Sequence, residues 1–310
     1  MKYISLIKPG CVMLMLCSVI QLHAQKKINE GLAAPQASAT LPKSKALVVP
    51  PVLKKNYKPV TVLKPVAYNE VSINNGWQLI SANVVNVSPA IISQTNYNSS
   101  AWYNATVPGT VLTTLVNRGV YPNPYIGLNN LQIPDTLCRQ QWWYRTNFSL
   151  PASSKNKNIQ LNFNGINYKA KVWVNGKQVG EINGAFVRGT FDISDFVKRN
   201  AVNTIAVNII PPTHPGIPHE ESEAAGMGPN GGKLCLDGPT FISSEGWDWM
   251  PGIRDRNIGI WQNVTLKFID AVTIKDTYVI SQLPLPDTTS ASLTIKTSLI
   301  NIFSVSSIFM

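Results

Sequence analysis

Short β-type runs alternate with turn residues between Tyr68 and Asp270, and this pattern constrains the fold more than any other feature. Several runs alternate polar and apolar residues at period two, as half-buried strands do. Asn175-Gly176 lies between two such runs and is typical of a two-residue hairpin turn. Only residues 111–117 and 194–199 have helical patterns. An antiparallel β-sandwich is therefore predicted, with strands in residues 77–80, 142–148, 159–163, 169–174, 204–210 and 263–268.

Aromatic and charged side chains are concentrated in residues 246–261, GWDWMPGIRDRNIGIW. A solvated loop rarely carries so many large rings, and a core strand rarely carries so many charges. Aromatic rings cover the apolar C–H face of a pyranose, while a carboxylate accepts hydrogen bonds from its hydroxyls. We therefore predict sugar contacts from Trp247, Asp248 and Trp249. Trp261, between Ile260 and Val264, is instead predicted to be a structural tryptophan at the sandwich edge.

Residues 211–246 form a Pro- and Gly-rich stretch that leads directly into this cluster. A loop of this length within a compact domain is usually functional or disordered. It contains Glu220, Glu221 and Glu223, and Glu220 is a further candidate for substrate binding. Catalytic carboxylates need about 5 Å separation on rigid elements, so we predict a solvated loop crest here and no catalytic residue.

The amino-terminal 24 residues are typical of a secretory signal peptide, with Lys2 and Lys8 before a short apolar run and Ala24 at the predicted cleavage site. The sequence thus predicts export to the periplasm or the extracellular space, with membrane contact only through the signal. Residues 25–66 are predicted to be a disordered linker rich in Pro and Lys.

Residues 1–66 hold ten of the 27 Lys and Arg residues against one acidic residue, Glu30. The net charge of +11 therefore describes the tail and does not indicate nucleic-acid binding.

Two cysteines, Cys138 and Cys235, remain after the signal. In an exported protein they could form a disulfide, or both could be buried thiols, and the sequence leaves both readings open. No Cys, His and carboxylate spacing resembles a metal site, and no glycine-rich phosphate loop is present. The sequence predicts neither a metal nor a cofactor.

The pattern changes after Asp270. Residues 271–310 are predicted to be the first strands of a second β domain, and the last thirteen residues, SLINIFSVSSIFM, are strongly apolar. A second sandwich needs more strands than this stretch provides. We therefore expect the chain to be the front part of a longer protein, as a truncated, frameshifted or split gene would produce.

Residues 67–270 contain, in chain order, the stretches WWYR at 142–145, FNGINY at 163–168, VWVNGK at 172–177, FDI at 191–193 and NTIAV at 203–207. Together these stretches resemble the amino-terminal sugar-binding domain of family 2 glycoside hydrolases. PGTV at 108–111 and NPY at 123–125 resemble the β-mannosidase and exo-β-D-glucosaminidase branch. PNGG at 229–232 and DGPTF at 237–241 are similar to its exo-β-D-glucosaminidase side.

The resemblance implies a jelly-roll, galactose-binding-like sandwich, followed by an immunoglobulin-like domain and a (β/α)8 barrel that carries two catalytic Glu residues. It also implies that the sandwich lends a loop to the sugar pocket, in which Asp248 contacts sugar hydroxyls. This chain has no residues for the barrel, so we expect it to be inactive alone or to act with a separately encoded barrel. The expected ligand is a terminal β-linked glucosamine or mannose-type sugar. The alternatives are a β-mannosidase or β-galactosidase fragment, and a free-standing carbohydrate-binding or adhesive protein.

Overall fold

The computed structural model describes residues 61–127, 129–214, 255–270 and 272–301. Within these ranges the chain forms thirteen strands and two short α-helices, α1 (Pro89–Ile92) and α2 (Val111–Asn117). It also forms four 3-10 helices: Ala82–Val84, Asn129–Gln132, Asp135–Arg139 and Ala152–Ser154. The first strands are β1 (Lys64–Ala67), β2 (Glu70–Ser72), β3 (Gln78–Ser81), β4 (Tyr103–Asn104), β5 (Trp142–Ser149), β6 (Asn158–Phe163) and β7 (Lys169–Val174). They are followed by β8 (Lys177–Asn183), β9 (Gly189–Asp192), β10 (Val202–Ile210), β11 (Val264–Ile269), β12 (Val272–Gln282) and β13 (Ser292–Asn301).

Two antiparallel sheets form the sandwich. One has the strand order β1-β2-β11-β6-β9, and the other has the order β4-β3-β5-β10-β7-β8. In β6 the residues alternate between half-buried and buried, so Ile159, Leu161 and Phe163 point into the core. In the other sheet Trp77, Tyr144 and Phe148 are almost fully buried in the same core. The prediction of an all-β sandwich is confirmed.

The outer face of the six-stranded sheet is also covered. Ile92, Trp102, Trp143, Trp173 and Ala206 form a second apolar cluster there. Arg145 holds the covering segment through Nε–H donated to the Ile92 carbonyl at 3.0 Å and Nη2–H donated to the Gln94 carbonyl at 2.8 Å. Its burial lowers the pKa of the guanidinium to about 10. Because both faces of this sheet are covered, β10 is buried along nearly its whole length.

Local sequence signals predicted most elements, but not the stretch 194–199, which is a turn and not a helix. Asp192 Oδ1 accepts hydrogen bonds from the backbone N–H of Ser194 at 2.9 Å and from its hydroxyl. Further along the stretch, the Lys198 N–H donates to Asn203 Oδ1 at 2.6 Å and so does not donate to the Ser194 carbonyl, as it would in a helix. The Asn175-Gly176 turn is as predicted: both residues have positive φ, and they connect β7 to β8.

The ordered sandwich begins earlier than the predicted linker boundary at residue 66. Strand β1 pairs with β2, with Lys64 opposite Ser72. Thr61 is buried, and its backbone N–H donates to the Asn147 carbonyl at 3.1 Å. The Pro- and Lys-rich composition hid this strand, because all four residues of β1 are exposed and its sequence therefore shows no alternating apolar pattern. Residues 1–60, with the predicted signal peptide and most of the linker, lie outside the described residues.

After the sandwich, β12 and β13 pair as an antiparallel hairpin. Its large aliphatic side chains are exposed, among them Ile274, Leu293 and Ile295. That this hairpin opens an immunoglobulin-like domain stays a prediction. Across the described ranges, no helix is long and apolar enough to cross a membrane.

Candidate functional site

The predicted sugar-contact residues Glu220, Trp247, Asp248 and Trp249 lie outside the described residues, as does Cys235. The structure therefore leaves their roles, and the Cys138–Cys235 disulfide, as predictions. It does describe the chain on both sides of this segment, up to His214 and again from Asp255. The geometry of these two flanks shows where residues 215–254 leave and rejoin the sandwich.

Both flanks lie at the same end of the sandwich. Strand β10 ends at Ile210, which is opposite Lys169 in the register with β7. Two residues before Lys169, Asn167 forms an antiparallel bridge with Gly259, and each N–H···O distance is 2.9 Å. Residues 215–254 therefore depart and return on either side of the β6–β7 connection. We call this end, formed by residues 109–112, 164–168, 184–188 and 255–262, the loop end.

Asp255 anchors the returning chain at the loop end. Its side chain is fully buried, at 0% exposure. Oδ2 accepts a hydrogen bond from the backbone N–H of Leu112 at 2.8 Å, and Oδ1 accepts one from the N–H of Asn257 at 2.9 Å. The first bond satisfies a backbone donor in the first turn of α2 that has no partner within the helix. Thr110, the N-cap residue of α2, accepts from Thr113 in the same turn.

The backbone after Asp255 adopts a conformation that its surroundings must hold in place. Arg256 and Asn257 are consecutive residues with φ near +55°, a region in which non-glycine residues are uncommon. Asn167 supports them, because its Nδ2 donates to the Arg256 carbonyl at 2.8 Å and to the Asn257 carbonyl at 3.1 Å. The chain then runs beside the start of α2, where Gly109 N–H donates to the Ile260 carbonyl at 2.8 Å.

Electrostatics assigns this cluster a structural role. Burial raises the pKa of the Asp255 carboxyl, while the backbone N–H of Leu112 and the Arg256 guanidinium act in the opposite direction. Burial, together with the nearby Asp255, also raises the pKa of the Tyr144 phenol, so this hydroxyl stays protonated at neutral pH. Neither group reaches solvent, so neither can touch a sugar directly. Asp255 and Tyr144 could influence a bound ligand only indirectly, by fixing the point at which residues 215–254 rejoin the sandwich.

Trp261 connects the returning chain to the β8–β9 loop. Its Nε1–H donates to the Ala185 carbonyl at 3.0 Å. Its ring meets Phe186 edge-to-face, with the centroids 5.9 Å apart. Gly165 lies against the indole so closely that a Cβ there would come within 2.7 Å of Cε2. Trp261 is half-buried at the sandwich edge, which agrees with the structural role predicted for it.

Sequence reasoning singled out the aromatic cluster, whose role stays a prediction, and it missed Asn167 and Asp255. Each of the two contacts a residue far away along the chain: Asp255 and Leu112 are 143 positions apart, and Asn167 and Arg256 are 89 apart. The available signal was an Asp-Arg-Asn sequence followed by Gly259, which resembles a left-handed turn capped by an acidic residue. Among the described residues no group of three His, Cys, Asp or Glu side chains could hold a metal ion.

Fold and loop end together define a β-sandwich module that carries a long segment at one end, which is where sandwiches commonly present binding loops. The chain belongs to the glycosyl hydrolase 2 galactose-binding domain-like family, whose model matches residues 92–262. This match covers more than half of the 310 residues.

The chain is similar to two curated relatives and to one crystal structure of glycosidases. The chain is 36% identical to a mannosylglycoprotein endo-β-mannosidase of Lilium longiflorum over 217 residues, which cover 67% of this chain and 22% of the relative. It is 29% identical to an exo-β-D-glucosaminidase of Streptomyces avermitilis over 225 residues, 71% of this chain and 22% of the relative. The crystal structure of the Amycolatopsis orientalis exo-chitosanase CsxA is similar with a TM-score of 0.59 and 27% identity, over 75% of this chain and 24% of the enzyme. The chain thus spans about a fifth of the length of these curated relatives.

Proposed function

We propose that this chain is the sugar-binding domain of an exported family 2 glycosidase of the exo-β-D-glucosaminidase and β-mannosidase branch. In this proposal residues 215–254 help to close the substrate pocket of a catalytic (β/α)8 barrel. The ligand is a terminal β-linked glucosamine or mannose-type sugar. Two relatives, a mannosylglycoprotein endo-β-mannosidase and an exo-β-D-glucosaminidase, support a mannose- or glucosamine-type sugar as the ligand.

One observation carries the proposal: the two flanks of the segment converge at the loop end. The bridge between Asn167 and Gly259 and the buried carboxylate of Asp255 fix the point of return. Asp248 precedes Asp255 by seven residues, so an extended chain keeps it within about 25 Å of that fixed point. A binding segment tethered to a rigid frame loses less conformational entropy when it meets a ligand.

The proposed contacts follow from the chemistry of a pyranose. Trp247 and Trp249 cover its C–H face, and Asp248 accepts hydrogen bonds from its hydroxyls, with Glu220 as a further polar contact. Retaining hydrolysis needs two carboxylates about 5 Å apart, and the barrel would supply them. We therefore expect the chain alone to bind monosaccharides weakly, at millimolar levels, and not to release nitrophenol from aryl β-glucosaminides, β-mannosides or β-galactosides.

Asp248→Asn tests the sugar contact. Hydrogen bonds to a charged group are worth about 1.5–3 kcal/mol, so this variant should lose about that much binding energy for glucosamine or mannose. Calorimetric titration of the full chain measures the loss. Asp270→Asn is the matched control, because Asp270 lies at the opposite end of the sandwich, where it pairs with Lys157 at 3.3 Å. Equal affinity of wild type and Asp248→Asn would make Asp248 a structural residue and end the sugar-contact assignment.

A complementation assay separates a glycosidase domain from a free-standing carbohydrate-binding or adhesive protein. The chain is mixed with a barrel from a family 2 exo-β-D-glucosaminidase that lacks its own amino-terminal domain. A glycosidase domain should restore hydrolysis of an aryl β-glucosaminide, and Asp248→Asn should restore less. Sugar binding without any restored hydrolysis would favour the free-standing protein.

Mass spectrometry of the exported protein tests the proposed location, with Gln25 expected as its first residue.

A further inference from the structure

The β8–β9 loop presents an exposed aromatic ring at the loop end. Phe186 is 53% exposed, and Val187 beside it is 50% exposed. The loop connects Asn183, which is opposite Lys169 in the register, to Gly189, which is opposite Phe163. Phe186 therefore lies at the same end of the sandwich as both flanks of residues 215–254.

The ring is held in place although it is exposed. Ala185, the residue before it, is fully buried, and its carbonyl accepts the Trp261 Nε1–H at 3.0 Å. The indole in turn packs on Gly165, and its ring meets Phe186 edge-to-face at an interplanar angle of 79°. The loop thus turns Ala185 inward and Phe186 outward, with Trp261 fixing both.

A fixed and half-exposed ring is suited to stacking against a ligand. A side chain that is already ordered loses little rotamer entropy on binding, and its exposed face still has apolar surface to bury. A pyranose ring offers a matching surface, because its axial C–H groups form an apolar face between the hydroxyls. Trp261 supports the Phe186 ring through their edge-to-face contact. The feature therefore combines an ordered apolar platform with a position at the loop end.

We propose that Phe186, flanked by Val187 and supported by Trp261, is a stacking platform for a second pyranose of a β-linked oligosaccharide. This inference rests on the proposed function, in which residues 215–254 hold the terminal sugar. The platform extends the contact along the glycan, from the sugar bound by the segment to the next rings. The affinity of the domain then depends on the length of the oligosaccharide as well as on its terminal sugar.

The test compares monosaccharides with β-1,4-linked tetrasaccharides of mannose and of glucosamine, titrated calorimetrically into the full chain. Phe186→Ala should weaken tetrasaccharide binding about 3- to 10-fold, the range for one aromatic contact, and should leave monosaccharide binding unchanged. Phe186→Trp should keep or increase the tetrasaccharide affinity, because it retains a ring. Tyr68→Ala is the matched control: this tyrosine is 87% exposed and lies in the β1–β2 turn at the opposite end.

Each outcome decides the proposal. An unchanged tetrasaccharide affinity in Phe186→Ala, with a loss in Asp248→Asn, would overturn the platform and leave the proposed function standing. No binding of either glycan to the wild-type chain would overturn both. A drop in self-association of Phe186→Ala by light scattering, with unchanged glycan binding, would show that the ring meets a second copy of the chain and not a sugar. A glycan-specific loss confined to Phe186→Ala would support the platform.

Discussion

The two ends of the sandwich are built from different kinds of interaction. At the loop end a fully buried carboxylate, Asp255, bonds to two backbone N–H groups beside a buried Arg256. At the opposite end, which we call the distal end, the corresponding charged contact is an exposed ion pair. There Lys157 and Asp270 are 3.3 Å apart, with 20% and 58% of their side chains exposed.

This difference determines how firmly each end is held. Water can replace the partners in the Lys157–Asp270 pair, so breaking this ion pair costs little. Opening the loop end would leave buried donors and a buried charge without partners, which is far more costly. The chain therefore places a buried carboxylate where a long segment must rejoin the fold, whereas Asn203, a buried polar side chain of the distal end, is a neutral amide. A rigid return point is what a binding segment needs, and the distal turns have no such requirement.

The largest expected effect tests this contrast with two aspartates. Asp255→Ala leaves the Leu112 and Asn257 N–H groups unpaired and Arg256 buried without its neighbouring carboxylate, so we expect a loss of about 3–5 kcal/mol in the free energy of unfolding. Asp270→Ala should cost less than about 1 kcal/mol. Urea denaturation followed by tryptophan fluorescence measures both. Similar losses in the two variants would show that burial at the loop end adds no special stability.

A smaller effect is expected from two glycines, one at each end. Gly259 has φ of +151°, and a Cβ there would lie 2.6 Å from the Gly109 carbonyl oxygen and 2.7 Å from Thr110 Cα. Gly176, in the distal β7–β8 turn, has φ of +90°, and its nearest neighbour would be 3.5 Å away. Both substitutions strain the backbone, but only the first also overpacks it. We expect about 2–3 kcal/mol for Gly259→Ala and about 1 kcal/mol for Gly176→Ala.

The same denaturation measurement compares the two glycine variants. Overpacking at position 259 would push the returning chain away from α2, so Gly259→Ala should also weaken glycan binding. Gly176→Ala should leave it unchanged. If Gly176→Ala proved the more destabilising variant, the close approach between residues 259 and 109 would not be what makes the loop end sensitive to an added side chain.

Sequence alone predicted those parts of this fold that depend on neighbours along the chain. The Asn175-Gly176 turn requires two adjacent residues with positive φ, and these residue types supply them at low cost. Alternation within β6 and β7 depends only on which sheet face is buried. The helix predicted for residues 194–199 does not form for an equally local reason, since the Asn203 side chain accepts the hydrogen bond from the Lys198 N–H.

The loop end itself was not predicted from the sequence. Trp247, Asp248 and Trp249 were singled out because an aromatic and acidic cluster has a chemistry of its own, and their sugar contacts stay a prediction. Asp255 and Asn167 were not singled out, because their roles are created by partners that the fold brings from distant positions. A buried aspartate and an exposed one are identical in the sequence, and only the packed structure distinguishes Asp255 from Asp270.

The smallest expected effect is a pH dependence that belongs to the loop end. Burial raises the pKa of Asp255 above its ordinary value of 3.8. The native protein therefore keeps this proton to a higher pH than the unfolded chain does. As the pH rises from about 4 through the native pKa, the native state binds more protons than the unfolded state, so this group makes the free energy of unfolding fall. A single group contributes at most about 1.4 kcal/mol per pH unit.

Asp255→Asn isolates this contribution because asparagine does not titrate. The stability difference between wild type and Asp255→Asn should be most favourable to wild type near pH 3, where the carboxyl is protonated in both states, and should shrink as the pH rises above 4. Urea titrations at intervals of half a pH unit measure it. The opposite slope, with wild type gaining on the variant as the pH rises, would mean that the Leu112 N–H and the Arg256 guanidinium outweigh burial. The native pKa would then lie below 3.8, and the loop end would be held by a true carboxylate–guanidinium attraction, like the Lys157–Asp270 pair at the distal end but out of reach of water.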